Sequence, residues 1–232
     1  VYGYGLSETT ATVCFYPEIG FQFGSIGDVM PDVQVRIDPE NSEILVKGKT
    51  VMSGYYNKPA ENEKAFTEDG YFRTGDAGRM EGNTLFFTER IKDLYKTSNG
   101  KYIAPQAIEM VMSGDQYIEQ IAVIGDQRKF VSALIVPAYS LLEKYAEEKG
   151  LAVGSREELV RNKEVLRLIE THIEENQKNL ASYEKIKRFT LLSEPFTMGS
   201  ELTDTLKLRR SVILKKYADS IEKMYEEASN PS

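Results

Sequence analysis

Glu89-Arg90-Ile91-Lys92-Asp93-Leu94-Tyr95-Lys96-Thr97-Ser98-Asn99-Gly100-Lys101 is the stretch on which the organisation of this chain turns. It continues a strand-like run, Thr84-Leu85-Phe86-Phe87-Thr88-Glu89, gathers charges, and then breaks into a polar glycine turn. The character of the sequence changes at the same place, which predicts a domain boundary dividing 1–91 from 92–232.

Upstream of it, Val33-Gln34-Val35-Arg36-Ile37 alternates with period two, Pro39-Glu40-Asn41-Ser42 is a turn, and Glu43-Ile44-Leu45-Val46-Lys47 is a second strand. The run at Thr84 is entered through the turn Glu81-Gly82-Asn83. This portion reads as β-rich. Downstream, Pro105–Met112 reads as a short helix with proline in its first turn. Residues 118–125 and 130–136 are apolar strand runs on either side of Asp126-Gln127-Arg128-Lys129, and 186–192 is a third. Ser155-Arg156-Glu157-Glu158 fits a capping box opening a long helix with Val165, Ile169, Ile173 and Leu180 on one face. Ile213, Tyr217, Ile221 and Met224 mark a last helix, and Asn230-Pro231-Ser232 a frayed tail. The expected class is α+β, a β-rich part followed by a small α+β domain.

Composition narrows the partners. The 232 residues are 41% hydrophobic and 28% charged, ordinary for a globular protein. A net charge of −7 argues against nucleic acid. The apolar stretches are strand-sized, too short to span a bilayer. The charge-rich 156–188 mixes acids and bases evenly, a solvated face rather than a basic lipid-binding one, with peripheral membrane contact left open. Cys14 is the only cysteine, so no internal disulfide forms, and a reducing cytoplasmic location is expected. His172, the only histidine, lies in a charged helical pattern and reads as a helix-surface residue, which nearly excludes histidine chemistry. The start, Val1-Tyr2-Gly3-Tyr4-Gly5, has neither an initiator Met nor a signal peptide and reads as a piece of a longer protein.

Several segments carry polar chemistry. In Tyr4-Gly5-Leu6-Ser7-Glu8-Thr9, glycine permits close backbone approach, while hydroxyl and carboxylate suit a phosphate oxygen and Mg²⁺; a capped strand-end turn is the simpler alternative. In Tyr71-Phe72-Arg73-Thr74-Gly75-Asp76, the carboxylate can accept from a ribose diol, or the segment is only a turn between strands. In Leu202-Thr203-Asp204-Thr205-Leu206-Lys207-Leu208-Arg209-Arg210, a lysine precedes an amphipathic helix, where a lone lysine is ordinarily solvated.

The order of the motifs says more than any one of them. The Tyr4–Thr9 motif is followed by Gly54-Tyr55-Tyr56-Asn57-Lys58-Pro59, Tyr71 to Asp76, Arg90-x-Lys92-Asp93, Pro105-x-x-Ile108-Glu109 and the C-terminal lysine. This succession resembles the acyl-adenylate-forming superfamily, the AMP-forming acyl-CoA synthetases. Segments 96–105 and 133–137 resemble its long-chain fatty-acid–CoA ligase branch. The resemblance implies a C-terminal fragment: the edge of a large adenylation domain over 1–91, then a mobile lid over 92–232. It implies a ligase that uses ATP, Mg²⁺ and CoA and partners the N-terminal adenylation domain of the same parent chain. By similarity Tyr4 packs on adenine, with Gly5 beside it, Ser7 binds the α-phosphate, Glu8 holds Mg²⁺, Asp76 takes the ribose hydroxyls and Arg90 reaches the nucleotide. Lys207 corresponds to the lysine that acts in acyl-AMP formation, Lys92 to the hinge, and Ser98, Asn99 and Gly100 to the passage for CoA. The family usually has glycine before this lysine, and Leu206 departs from that. The phosphate loop and most of the fatty-acid tunnel would lie upstream, so the fragment alone is expected to be inactive. A peptide-synthetase adenylation domain, a luciferase-like ligase and a non-catalytic module of the same fold are the alternatives.

Overall fold

The computed structural model describes residues 3–226, except 11, 18, 19 and 21. The expected frayed tail and Val1-Tyr2 lie outside the described residues. The chain folds as two compact units, Val1–Leu94 and Tyr95–Ser232, and its class is α+β.

The first unit is built on one antiparallel sheet of β1 Gly3–Tyr4, β2 Cys14–Phe15, β3 Gly27–Val29, β4 Val33–Ile37, β5 Glu43–Gly48, β6 Phe72–Glu81 and β7 Thr84–Arg90. Their spatial order is β1-β2-β3-β7-β6-β5-β4. The period-two pattern places Val33 and Ile44 inside, where they join Val13, Cys14, Val46 and Leu85 in the core. The β4–β5 turn is held by its own side chains: Asp38 accepts from the Glu40 N–H at 2.8 Å, and Asn41 from the Glu43 N–H at 3.0 Å. Burial pushes the Cys14 thiol up to about 11, so it stays protonated and inert. A short helix, α1 Pro59–Ala65, opens with proline at its first turn.

The second unit begins with the hairpin β8 Tyr95–Lys96 and β9 Tyr102–Ile103, then α2 Pro105–Met112. Its sheet is β10 Ile118–Ile124, β11 Val131–Pro137 and β12 Ile186–Leu191, with β11 central, antiparallel to β10 and parallel to β12. Every residue of β11 is buried, as its unbroken apolar run requires. Around the sheet lie α3 Tyr139–Glu148, α4 Arg156–Leu159, α5 Lys163–Asn176, α6 Arg210–Lys216 and α7 Ala218–Glu226.

Three expectations change. The long helix after Ser155 is two helices. Ser155 does accept from the Glu158 N–H at 3.3 Å, but Glu158 turns back to the Gly154 N–H at 2.7 Å, and α4 ends after one turn. Asn162 then caps α5 by accepting from the N–H groups of Glu164 and Val165, and Leu180 falls beyond the helix end. The last helix is likewise divided, at Tyr217, whose backbone leaves helical geometry. His172 is half-buried rather than on the open surface. Its Nδ1 lies 2.8 Å from Asp115 Oδ2, and the Tyr117 ring meets it edge-on at 4.8 Å. Burial raises the Asp115 carboxyl, yet bonds from the Tyr117 N–H, His172 and Asn176 outweigh it and hold it below the usual range. The histidine is a packing link between α5 and the turn before β10. No helix among the described residues is long and apolar enough to cross a membrane.

Candidate functional site

Asp76 stands at a bulge inside β6. Along β5 and β6, Glu43 pairs with Ala77 and Leu45 with Arg73, so β6 carries two extra residues there. Gly75 takes φ +72, a left-handed conformation natural only to glycine, and its N–H bonds Glu43 Oε1 at 3.0 Å. The segment expected to be a turn between strands is therefore a kink within one strand. Thr74 fixes the kink by donating to the Ile44 carbonyl at 2.7 Å and accepting from the Asp76 N–H at 3.1 Å. Asp76 is 2% exposed. Its Oδ2 accepts from the Tyr4 hydroxyl at 2.7 Å, and its Oδ1 lies 2.9 Å from Arg90 Nε on the facing strand. Burial pushes the Tyr4 phenol far above its ordinary value and the Asp76 carboxylate adds to this, so Tyr4 remains a neutral donor.

Ser7 and Glu8 belong to a 3-10 turn, Ser7–Thr9, just after Gly5. Thr9, not Ser7, closes that turn, exchanging bonds with the Leu6 N–H at 2.9 Å and the Leu6 carbonyl at 3.0 Å. The Ser7 side chain is left exposed. Glu8 Oε1 accepts from the Tyr55 hydroxyl at 3.0 Å, and the Glu8 carbonyl accepts from the Met52 N–H at 2.8 Å. Asn62 on α1 holds the Tyr55 backbone from both sides, at 2.7 and 3.0 Å. Among the described residues no three His, Cys, Asp or Glu side chains converge as metal ligands. A single carboxylate of this kind fits Mg²⁺, which is commonly held by one or two carboxylates plus substrate phosphates. Lys92 is exposed in the 3-10 turn Ile91–Asp93 that follows β7.

In the second unit Ser98, Asn99 and Gly100 form the tip of the β8–β9 hairpin. Gly100 takes φ +77, and the Ser98 N–H reaches the Arg128 carbonyl at 2.9 Å. Lys207 sits on another hairpin, closed by a bridge between Leu202 and Leu208. The Thr203 N–H bonds the Lys207 carbonyl at 2.9 Å, the Leu206 N–H bonds the Thr203 carbonyl at 2.9 Å, and the Lys207 N–H bonds Thr203 Oγ1 at 3.0 Å. The ammonium of Lys207 is exposed and makes no ion pair with the described residues. Behind it, Arg210 grips Glu109 with two bonds, at 2.8 and 2.9 Å, and reaches the Tyr95 hydroxyl at 3.2 Å. Thus Asp76 meets both Tyr4 and Arg90, Ser7 and Glu8 share a turn of the same unit, which also carries Gly5 and Lys92, and Ser98, Asn99, Gly100 and Lys207 lie in the second unit.

Residues 92–229 match the family described as AMP-binding enzyme C-terminal domain. The chain belongs to this family. It is 33% identical over 226 residues to the long-chain-fatty-acid–CoA ligase FadD15 of Mycobacterium bovis, covering 96% of this chain and 37% of that protein. It is 32% identical to human long-chain-fatty-acid–CoA ligase 1, over 96% of this chain and 34% of that protein. Among solved structures, the adenylation domain of a carboxylate reductase from Mycobacterium chelonae superposes with a TM-score of 0.62 at 26% identity, over 97% of this chain and 34% of that one. An ATP-bound RpMatB-BxBclM chimera, at 24% identity and a TM-score of 0.59 over 93% of this chain and 40% of that one, shows the same fold. The chain spans little more than a third of the length of these curated relatives.

Within this C-terminal domain the departure at Leu206 has a structural meaning. Leu206 takes φ +60 and is 65% exposed, so a side chain occupies a left-handed position that glycine fills without strain. Left-handed geometry costs an L-residue roughly 1–2 kcal/mol, while glycine gives back roughly 0.5–1 kcal/mol in unfolded-chain entropy. Leu206→Gly is therefore expected to leave the thermal midpoint of the 232-residue chain unchanged or raise it, and Leu206→Val to lower it. A clear loss of stability in the glycine variant would show that the leucine side chain holds the loop. Sequence reasoning missed Tyr55, Glu43 and Glu201, and gave Glu109 no role. Tyr55 and Glu109 lie in motifs already singled out, whereas no local pattern marks Glu43 or Glu201 as a partner.

Proposed function

We propose that this chain is the C-terminal part of an AMP-forming long-chain fatty-acid–CoA ligase. In this reading 1–91 is the edge of the adenylation domain and 92–232 a lid that turns about Lys92. The carrying observation is the division of the chemistry. Oxygen acceptors and the Arg90 guanidinium gather in one unit, while an ammonium without an ion-pair partner among the described residues stands on a hairpin of the other. The names of the relatives, matched over 96% of the chain, supply the substrate class.

The reaction has two steps. A fatty-acid carboxylate attacks the α-phosphorus of ATP, giving acyl-AMP and pyrophosphate; the CoA thiol then displaces AMP to give acyl-CoA. Asp76 has about four acceptor positions; the Tyr4 hydroxyl fills one on Oδ2, while Oδ1 pairs with Arg90 by charge at 2.9 Å without an aligned hydrogen bond. The positions left over match a ribose diol. Because the carboxylate is covered, Arg90 must swing aside when ribose binds, and its 55% exposed side chain is free to do so. Glu8, steadied by Tyr55, would hold Mg²⁺, which when bound offsets phosphate charge. Ser7 offers its hydroxyl to the α-phosphate. Lys207 brings positive charge between two anions, the attacking carboxylate and the phosphate. The exposed tip Ser98-Asn99-Gly100 would line the CoA passage after the lid turns. A cytoplasmic location belongs to the same reading.

The 232-residue chain alone is expected to give no fatty-acid-dependent ATP–pyrophosphate exchange, and the longer parent to give exchange and CoA-dependent acyl-CoA formation. Exchange by the isolated chain would overturn the fragment reading. A parent that adenylates carboxylates but passes them to an acceptor other than CoA would favour a related adenylating enzyme, the kind its carboxylate-reductase neighbour represents.

A further inference from the structure

We propose that Glu201 is a positioning residue that sets the placement of the Lys207 hairpin, an inference that rests on the role given to Lys207 above. Glu201 is wholly buried, with 0% exposure. Its Oε1 accepts from Lys216, the last residue of α6, and lies 3.3 Å from the Tyr217 hydroxyl. Its Oε2 accepts from the Thr197 N–H at 3.2 Å and the Thr197 hydroxyl at 3.3 Å. Its own carbonyl accepts the Arg209 N–H at 2.7 Å, beneath the hairpin, and Arg209 reaches the carbonyls of Gly199 and Ser200 at 3.0 and 3.1 Å. One residue thus joins the loop before the hairpin, the base of the hairpin and the helices after it.

The chemistry is costly for mere packing. An apolar side chain of similar size in such a place is often as stabilising as a buried ion, so the charge calls for another reason. Four donors converge on two oxygens, and only a carboxylate presents acceptors on both sides. A glutamine must turn its NH₂ toward either Thr197 or the Lys216–Tyr217 pair. The interaction therefore fixes direction, and what it directs is the stem that carries Lys207.

The test uses the full-length parent, with acyl-AMP formation in a single turnover and thioester formation from preformed acyl-AMP measured separately. Glu201→Gln is expected to slow acyl-AMP formation about 10–100-fold, the scale of a misplacement near 1 Å, with the KM for ATP and fatty acid little changed. Thioester formation should change less than about 3-fold, since the hairpin is not engaged in that step. Glu201→Asp, which keeps the charge, should recover part of the loss. Lys216→Gln, at a half-exposed position, should show the same bias even if the Glu201 variants fold poorly. Equal losses in both steps, or a shift in melting temperature alone, would reduce Glu201 to a structural role and overturn the inference while leaving the ligase reading intact. A wild-type parent that makes no acyl-AMP would overturn both.

Discussion

Replacing Lys207 with Met in the parent is expected to slow acyl-AMP formation roughly 10²–10³-fold, the usual cost of deleting one group aimed at developing transition-state charge. The carboxylate and the α-phosphate are both anions, and their repulsion is greatest where the new P–O bond forms. An ammonium between them is worth far more in a closed, water-poor site than in solvent. Methionine keeps the length of the stem and removes only the charge. Because the Lys207 side chain makes no ion pair with the described residues, its loss should leave the fold intact. Single-turnover acyl-AMP formation and thermal melting decide this together. Thioester formation from preformed acyl-AMP should be spared, and a comparable loss there would mean that Lys207 serves both steps.

Asp76→Ala carries the second large effect and acts differently. Its carboxylate is the meeting point of Tyr4 and Arg90, so truncation strands the Tyr4 hydroxyl in a half-buried position and frees Arg90. The expected stability cost is about 1–3 kcal/mol, the penalty for orphaning a buried polar group. The nucleotide effect should be of similar size: loss of a bidentate acceptor for a diol should raise the KM for ATP by about 10–100-fold, or about 1.4–2.8 kcal/mol. Asp76→Asn should do little better, because both protein partners are donors and the amide offers them one oxygen. Tyr4→Phe removes a donor and leaves the acceptor, so a mild effect on ATP is expected. Unchanged ATP dependence in a folded Asp76→Ala protein would remove Asp76 from the ribose site.

Much of this molecule is written within short windows of its sequence. Period-two alternation fixes the hairpin of β4 and β5 because adjacent side chains of a strand face opposite ways. Proline at the first turn and the apolar spacing of Pro105–Met112 specify α2 residue for residue. The ordered motifs, each weak alone, place the chain in its family. What failed locally were helix limits, where the side chain of Asn162 starts a second helix between the Ser155 cap and the apolar stripe that begins at Val165.

The contacts within the candidate site come only from the tertiary structure. Tyr4 meets Asp76 across 72 residues of sequence, and Glu109 meets Arg210 across 101. No periodicity spans such distances, since these partners are chosen by sheet order and by the packing of α2 against the start of α6. The bulge that aims Asp76 arises from a mismatch in length between two strands, which neither strand reveals alone. The sequence determined the elements and the chemistry available at their ends. Folding decided which charges would be buried together, because a buried ion is tolerated only where the completed fold surrounds it with donors, as it does Glu201.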